Sequence, residues 1–346
     1  MMEVKEIILK LSGLAGPAGF EEPVAACVRD LAAPFLDEVK IDVLGNVVGV
    51  KKSGKPNAKR LLLDAHIDEV GLIVTGYEDG FLRFSAIGGV DARMLPASEI
   101  KVLTEPPLVG IIGVLPPHLL KGEDAEKTIK TDDLYIDIGL SQDEAKKAVP
   151  VGTPAVYNTG ARVFGDGLIC GKGLDDRACV AAILRALELV KDETLDIDVY
   201  FLGSVQEELG TRGAKAGAFA VNPDWCVAVD VDYASSPDAR EHWLKELGGG
   251  VVISKGPILN KRLTELPIRL AEEKGIKYQL GVEAGDTGTN ARVIQLTREG
   301  VATALLDIPL RYMHSPVEVV SIEDAEATAQ LLAELARNLK GDEANA

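Results

Sequence analysis

Cysteine and histidine are scarce in this chain, and long apolar runs are missing. The four cysteines, Cys27, Cys170, Cys179 and Cys226, form no CxxC pair and no dense framework. Cys27 and Cys179 lie in helix-like runs and Cys226 in a strand-like run, so buried free thiols in a reducing compartment are expected. No apolar run approaches the ~20 residues needed to span a bilayer. The N-terminus, Met1-Met2-Glu3-Val4-Lys5-Glu6, is charged and amphipathic and lacks the apolar stretch of a secretory signal. A cytosolic, cytoplasmic protein is expected. Basic clusters and low-complexity tracts are also lacking. With 37 Lys and Arg against 54 Asp and Glu, the net charge is −17. A chain this acidic suits neither nucleic acid nor anionic membranes, and neither is expected as a partner.

What the 346 residues do contain is enough for a large core and more than one domain. Apolar residues recur at helical spacing in Glu21–Asp37, and Val39–Lys51 alternates like strands around a Gly45-Asn46 turn. Arg60–Ala65 is a short continuous apolar run, the mark of a strand buried on both faces. From Gly71 to about Phe164 the texture changes to short alternating strands with an Asp79-Gly80 hairpin turn, crowded prolines, and a helix near Ser141–Ala148. This stretch reads as a small β-rich insertion. The α/β texture then returns. Helices are expected at Asp175–Val190, Leu263–Lys274 and Ser321–Leu339, the last opened by a Ser321/Asp324 capping box. Strands are expected at Asp196–Leu202, Trp225–Val229 and Val301–Ile308, with a frayed tail from Gly341. Strands separated by helices imply a mostly parallel sheet covered on both faces.

Two of only four histidines, His66 and His314, join Asp175, Glu208 and Asp230 in a set that looks like one metal site. Nitrogen and carboxylate donors with one spare acid, Glu207, suit a pair of divalent metals sharing a reactive water, which is hydrolase chemistry. His66, Glu208, Asp230 and His314 each follow a strand-like run, and ligands gather beyond the carboxyl ends of strands in open α/β sheets. Asp68, two residues after His66, can approach the imidazole and fix its tautomer. A surface histidine near acids would carry the same motif. Asp175 and Asp176 open a helix, where acids are stabilising in any case. The functional alternative makes Asp175 a ligand bridging both metals. Adjacent glutamates on extended chain point different ways, so one of Glu207-Glu208 can bind metal while the other faces the water. Asp232 competes with Asp230 for its role. His118 receives no role, His242 is expected at the surface, and Gly285–Asn290 is either a pocket lining or a turn.

The stretches "DAHIDEVG", "IGGVDARMLP", "GVLPPHLL", "IDIG", "KGLDDRA", "SVQEELGTRGA", "AVDVDYA" and "IPLRYMHSPVE" run nearly end to end. In them the chain resembles the TET-type (tetrahedral) aminopeptidase family of di-metal metallopeptidases, also labelled glutamyl aminopeptidase or endoglucanase-M-like. The resemblance implies a zinc-peptidase-like α/β catalytic domain over residues 1–68 and 165–346, with a β-rich dimerisation domain inserted at 69–164. It implies assembly of dimers into a hollow dodecamer. By motif position, His66, Asp175 and Asp230 would hold one metal, and Asp175, Glu208 and His314 the other. Glu207 matches the general base and Asp68 the acid behind His66. Zinc is the expected metal, with cobalt or manganese as substitutes. Two positions depart from the common pattern: Asn290 stands where many members have Asp, and Asp232 where many have Thr. Both bear on the substrate pocket and neither removes a ligand.

The expected activity is removal of single residues from the amino end of short peptides. Two alternatives stand beside it. A dipeptidase or N-acyl deacylase on a similar core would want an arginine facing a free substrate carboxylate, with Arg177, Arg292 and Arg311 as candidates. A non-catalytic assembly module would have no use for the spare Glu207.

Overall fold

The computed structural model describes residues 3–119, 128–237, 239 and 243–340. His242 and the tail from Gly341 lie outside the described residues. Among those described, no helix is long and apolar enough to cross a membrane.

An 11-stranded sheet forms the backbone of the larger lobe. In spatial order it runs Glu38–Ile41, Val47–Lys51, Asp198–Ser204, Arg60–His66, Trp225–Tyr233, Ala302–Arg311, Glu318–Ser321, Leu168–Gly171 and Arg162–Phe164. Val251–Lys255 pairs with Ala302–Arg311 and carries Tyr278–Val282 beyond it. The four central strands from Asp198–Ser204 to Ala302–Arg311 are mutually parallel. The flanking pairs are antiparallel, so the sheet as a whole is mixed.

The apolar run Leu61–Leu63 explains the centre: all three side chains are buried, alternately on the two faces. One face packs against helices Val4–Ser12, Glu22–Ala32, Leu174–Val190, Lys261–Lys274 and Ile322–Asn338. The other face packs against Arg212–Val221 and Ala291–Ile294.

Between His66 and Arg162 the chain leaves this sheet. Strands Gly71–Glu78, Phe81–Ile87, Tyr135–Asp137, Leu108–Gly113, Glu99–Val102 and Pro154–Tyr157 close into a barrel in that spatial order. Its own core includes Leu82, Phe84, Ile100, Ile112 and Ile136. Asp79 and Gly80 make the expected hairpin, both at positive φ, 49° and 94°.

Three local expectations are corrected. The strand expected to stop at Val229 continues to Tyr233, because every residue of it is registered with Ala302–Arg311 in a parallel pair. Ser321 does precede the last helix, but the capping box is not formed. The Asp324 carboxylate instead accepts from the Gly248 and Gly250 N–H groups at 2.8 and 2.7 Å, tying that helix to a loop. Cys27 is only partly buried, whereas Cys170, Cys179 and Cys226 are buried, and all four thiols are free.

Candidate active site

The parallel centre of the sheet brings the five candidate ligands to one place. His66 ends strand Arg60–His66, aligned with Ser204 of its neighbour, and Glu207-Glu208 follow three and four residues later. Asp230 lies within strand Trp225–Tyr233, and His314 follows strand Ala302–Arg311. Asp175 sits at the start of Leu174–Val190, where it and Asp176 are non-helical, so its carboxylate turns towards the strand ends.

Two groups of three result: His66, Asp175 and Asp230, and Asp175, Glu208 and His314, each with its donor atoms within 4.8 Å of one another. Asp175 belongs to both. One of its oxygens, Oδ1, lies 3.1 Å from His66 Nε2, and the other, Oδ2, lies 3.3 Å from His314 Nε2. Glu208 Oε1 is 3.1 Å from His314 Nε2.

Each imidazole is oriented from behind. His66 Nδ1 faces the Asp68 carbonyl at 3.2 Å and its carboxylate at 3.4 Å. His314 Nδ1 donates to the Gly89 carbonyl at 2.8 Å. Both acceptors keep the proton on Nδ1 and leave Nε2 as the free donor atom. Gly89 belongs to the segment leaving barrel strand Phe81–Ile87, and a Cβ there would stand 2.9 Å from His314 Nδ1, so only glycine permits the approach. Asp68 also accepts from the backbone N–H groups of Glu207 at 3.0 Å and Glu208 at 3.1 Å. One carboxylate thereby orients a histidine and pins the turn that carries both glutamates.

Glu318 was missed in the sequence although it stands in the quoted "HSPVE". It is buried, and its carboxylate accepts from the His314 N–H at 2.9 Å and the Leu174 N–H at 2.7 Å. It fixes the backbones that present His314 and Asp175. His314 itself sits at φ 60°, a conformation that costs a non-glycine residue about 1 kcal/mol or more.

The electrostatics identify what the site accommodates. Burial pushes the Asp230 and Glu208 carboxyls up, and Glu207 up to about 7, with neighbouring acids adding to the push. Burial alone would lower the His314 imidazole, but hydrogen bonds to Asp175 and Glu208 push it up to about 11. So many acids crowded in a buried space repel one another, and positive charge placed among them relieves the repulsion. Two imidazole nitrogens and three carboxylates are the donor set of borderline divalent cations, and the residues fit such ions.

Behind the His66–Asp68 turn lies a buried ionic network. The Arg177 guanidinium donates to the carbonyls of Ile67 at 3.1 Å and Leu14 at 2.8 Å, and to Glu69 Oε1 at 3.0 Å. Lys172 Nζ donates to both Glu69 oxygens at 2.8 Å. Replacing Arg177 by Met removes one partner and leaves several carbonyls unsatisfied. A loss of roughly 3–5 kcal/mol in urea unfolding is expected, and a loss under about 1 kcal/mol would show the network to be energetically idle.

The site opens into a cavity of about 420 Å3. Glu207 lines it without belonging to either group of three. Beyond Asp230 the walls carry Asp232, Glu283 and Asp307 together with Tyr233 and Trp243. Asp232, one of the two departures noted above, therefore does face the pocket. Asn290, the other, does not. It is buried and donates to Asp64 at 2.8 Å and Ser204 at 2.9 Å beneath the site. Thr287, Gly288 and Thr289 of its loop do line the cavity. His118 is exposed in the barrel lobe and lines none of it. Arg177 faces the interior, and neither Arg292 nor Arg311 is among the described lining residues.

The chain is similar to known proteins over nearly its whole length. The family model described as M42 glutamyl aminopeptidase matches residues 45–331. The lysyl aminopeptidase of Pyrococcus furiosus is 36% identical over 341 residues, covering 97% of each chain. Among solved structures, the TET aminopeptidase of a marine sediment Thaumarchaeota archaeon superposes with a TM-score of 0.93 at 32% identity, covering 99% of this chain and 98% of that one. The TET1 peptidase of Pyrococcus horikoshii, which can assemble into a tetrahedron or a large octahedral shell, gives 0.86 at 34% identity, covering 97% of this chain and 100% of its own. A match this long, in sequence and in fold, shows that it belongs to the M42 glutamyl aminopeptidase family of metal-dependent peptidases.

Proposed function

We propose that this protein releases single residues from the free amino end of short peptides, using a pair of divalent cations and Glu207 as general base. The observation that carries the proposal is the shared Asp175, one carboxylate common to two three-residue groups beside a cavity-lining acid outside both. His66, Asp175 and Asp230 would hold one ion, and Asp175, Glu208 and His314 the other. Zinc is the best match to this donor set, with cobalt or manganese able to substitute. Such ions supply Lewis acidity, acidifying water and polarising a carbonyl.

Within that frame Glu207 takes the proton of the attacking water and returns it to the departing amine. Asp68 holds the Glu207 backbone and the His66 ring in place for this. The acidic walls favour the cationic free amino group of the substrate.

Two observations weigh against the alternatives. A dipeptidase or N-acyl deacylase needs a cation for the substrate carboxylate. Yet among the described lining residues the cation outside the histidines is Lys245, which is paired with Asp232 at 3.2 Å. A purely structural module has no use for a half-buried acid poised beside the clusters.

The quaternary proposal follows the same logic. We divide the chain into a catalytic domain, 1–68 with 165–346, and a dimerisation barrel, 69–164, whose last strand, Arg162–Phe164, already pairs in the large sheet. The barrel exposes Val109, Ile111 and Leu119, each about half accessible, which suits self-association. We propose dimers built into a dodecamer, and the tetrahedral assembly of the Pyrococcus horikoshii relative supports a closed homo-oligomer. Free thiols suit a reducing compartment such as the cytoplasm.

The test compares aminoacyl anilides with their N-acetylated forms after loading with zinc, cobalt or manganese. Free-amine substrates are expected to be cleaved and acetylated ones spared by a factor of about 100 or more. Equal rates would defeat the exopeptidase reading.

A further inference from the structure

The cavity extends past the reaction centre along one face of the sheet. Asp230 and Asp307 are register partners on adjacent parallel strands, so their side chains share a face at one strand spacing, about 4.8 Å. Asp232, two residues beyond Asp230, lies on that face too. Glu283 follows strand Tyr278–Val282 and closes the far side.

Their partners are unequal. Lys245 Nζ pairs with Asp232 at 3.2 Å and donates to the Trp243 carbonyl, and its charge also reaches Glu283 and Asp307, so one cation faces three carboxylates. Asp307 is 3% exposed, and among the described residues Ser254 is its hydrogen-bond donor, reaching Oδ2 at 2.7 Å. Neither Asp307 nor Glu283 has an ion-pair partner among the described residues. Ser254 serves one oxygen of the cavity-lining Asp307 carboxylate, and the other is left for a donor that enters the cavity. Beside the loop of Thr287, Gly288 and Thr289 the remaining walls include the apolar Leu305, Val282 and Met313, with Tyr233 and Trp243 packed edge to face at 6.2 Å. An aliphatic stem fits against such walls while a cationic head reaches the acids.

We propose that this extension receives the side chain of the substrate's first residue and selects a basic one, lysine or arginine, with Glu283 and Asp307 as the specificity-determining carboxylates. The proposal rests on the aminopeptidase reading and adds to it the class of substrate. An acidic side chain would meet two unpaired carboxylates, and an apolar one would leave them unanswered.

Two measurements on the metal-loaded protein test it. In the first, kcat/KM is compared for the anilides of lysine, arginine, norleucine and glutamate. Norleucine keeps the four-carbon stem and lacks the charge. Lysine and arginine are expected to exceed norleucine by about tenfold or more, with glutamate slowest. Glu283→Gln and Asp307→Asn are each expected to cut the lysine-to-norleucine ratio about tenfold. Norleucine or glutamate cleaved fastest, or a ratio unchanged in both variants, would overturn the proposal.

The second measurement is calorimetric binding of free lysine and free norleucine to Glu207→Gln protein. Tighter lysine binding supports the subsite, and equal affinity overturns it. Because binding needs no turnover, a protein that cleaves no anilide at all would defeat the aminopeptidase reading while the binding comparison still decided the subsite.

Discussion

Glu207→Gln is expected to lower kcat by roughly 10²–10⁴-fold while leaving the bound metal unchanged. The side chain keeps its shape and its place in the cavity, and it belongs to neither group of candidate ligands. Only its capacity to take up a proton is lost. The same residue is expected to set the acid limb of the pH profile. Burial pushes its carboxyl up to about 7, and cations held beside it pull in the opposite direction. The base works only when ionised, so kcat is expected to fall as pH drops through the carboxyl's pKa, which bound cations lower relative to the metal-free protein. In Glu207→Gln that limb should vanish from the residual rate. Wild-type turnover in the variant, or lost metal, would remove Glu207 from the role of base.

The second large effect concerns Asp175. If one carboxylate serves two ions, Asp175→Ala removes a donor from each cluster at once, whereas His314→Ala weakens one cluster and leaves His66, Asp175 and Asp230 whole. Elemental analysis after dialysis is therefore expected to find about two ions per chain in the wild type, about one in His314→Ala and close to none in Asp175→Ala. Hydrolysis should be undetectable in the Asp175 variant. Retention of a full metal complement without Asp175 would break the shared-ligand arrangement, whatever the activity did. Thermal unfolding with and without added zinc gives a second readout, since ions that bind only the folded chain raise its stability by mass action.

Much of this centre is legible in the sequence because its donors are tied to strands. An apolar run ending abruptly in a polar residue, as at Ala65-His66, announces a buried parallel strand and the point where it surfaces. Four such endings point to one edge of one sheet. Asp175 is harder to read, because acids at a helix start need no functional explanation. Its role emerges only from the two flanking imidazoles.

What stayed hidden has physical reasons. Glu318 acts by accepting backbone N–H groups from segments four and 144 residues away, a job with no spacing signature. Helix Arg212–Val221 takes six of its ten residues from glycine and alanine, so its buried face is made mostly of small side chains. Strands Val251–Lys255 and Tyr278–Val282 are five residues each, too short for a pattern to stand out beside glycine-rich loops. The pocket acids Glu283 and Asp307 are far apart in the chain, and only strand register brings Asp307 level with Asp230.

The contact between Gly89 and His314 has a consequence for modularity. A barrel hung on a catalytic lobe looks like a detachable accessory. Here it lends a main-chain oxygen to an imidazole of the other lobe, and the glycine that permits this tolerates no side chain. Excising the barrel, or grafting in one without this glycine, would take from His314 the carbonyl that orients its ring.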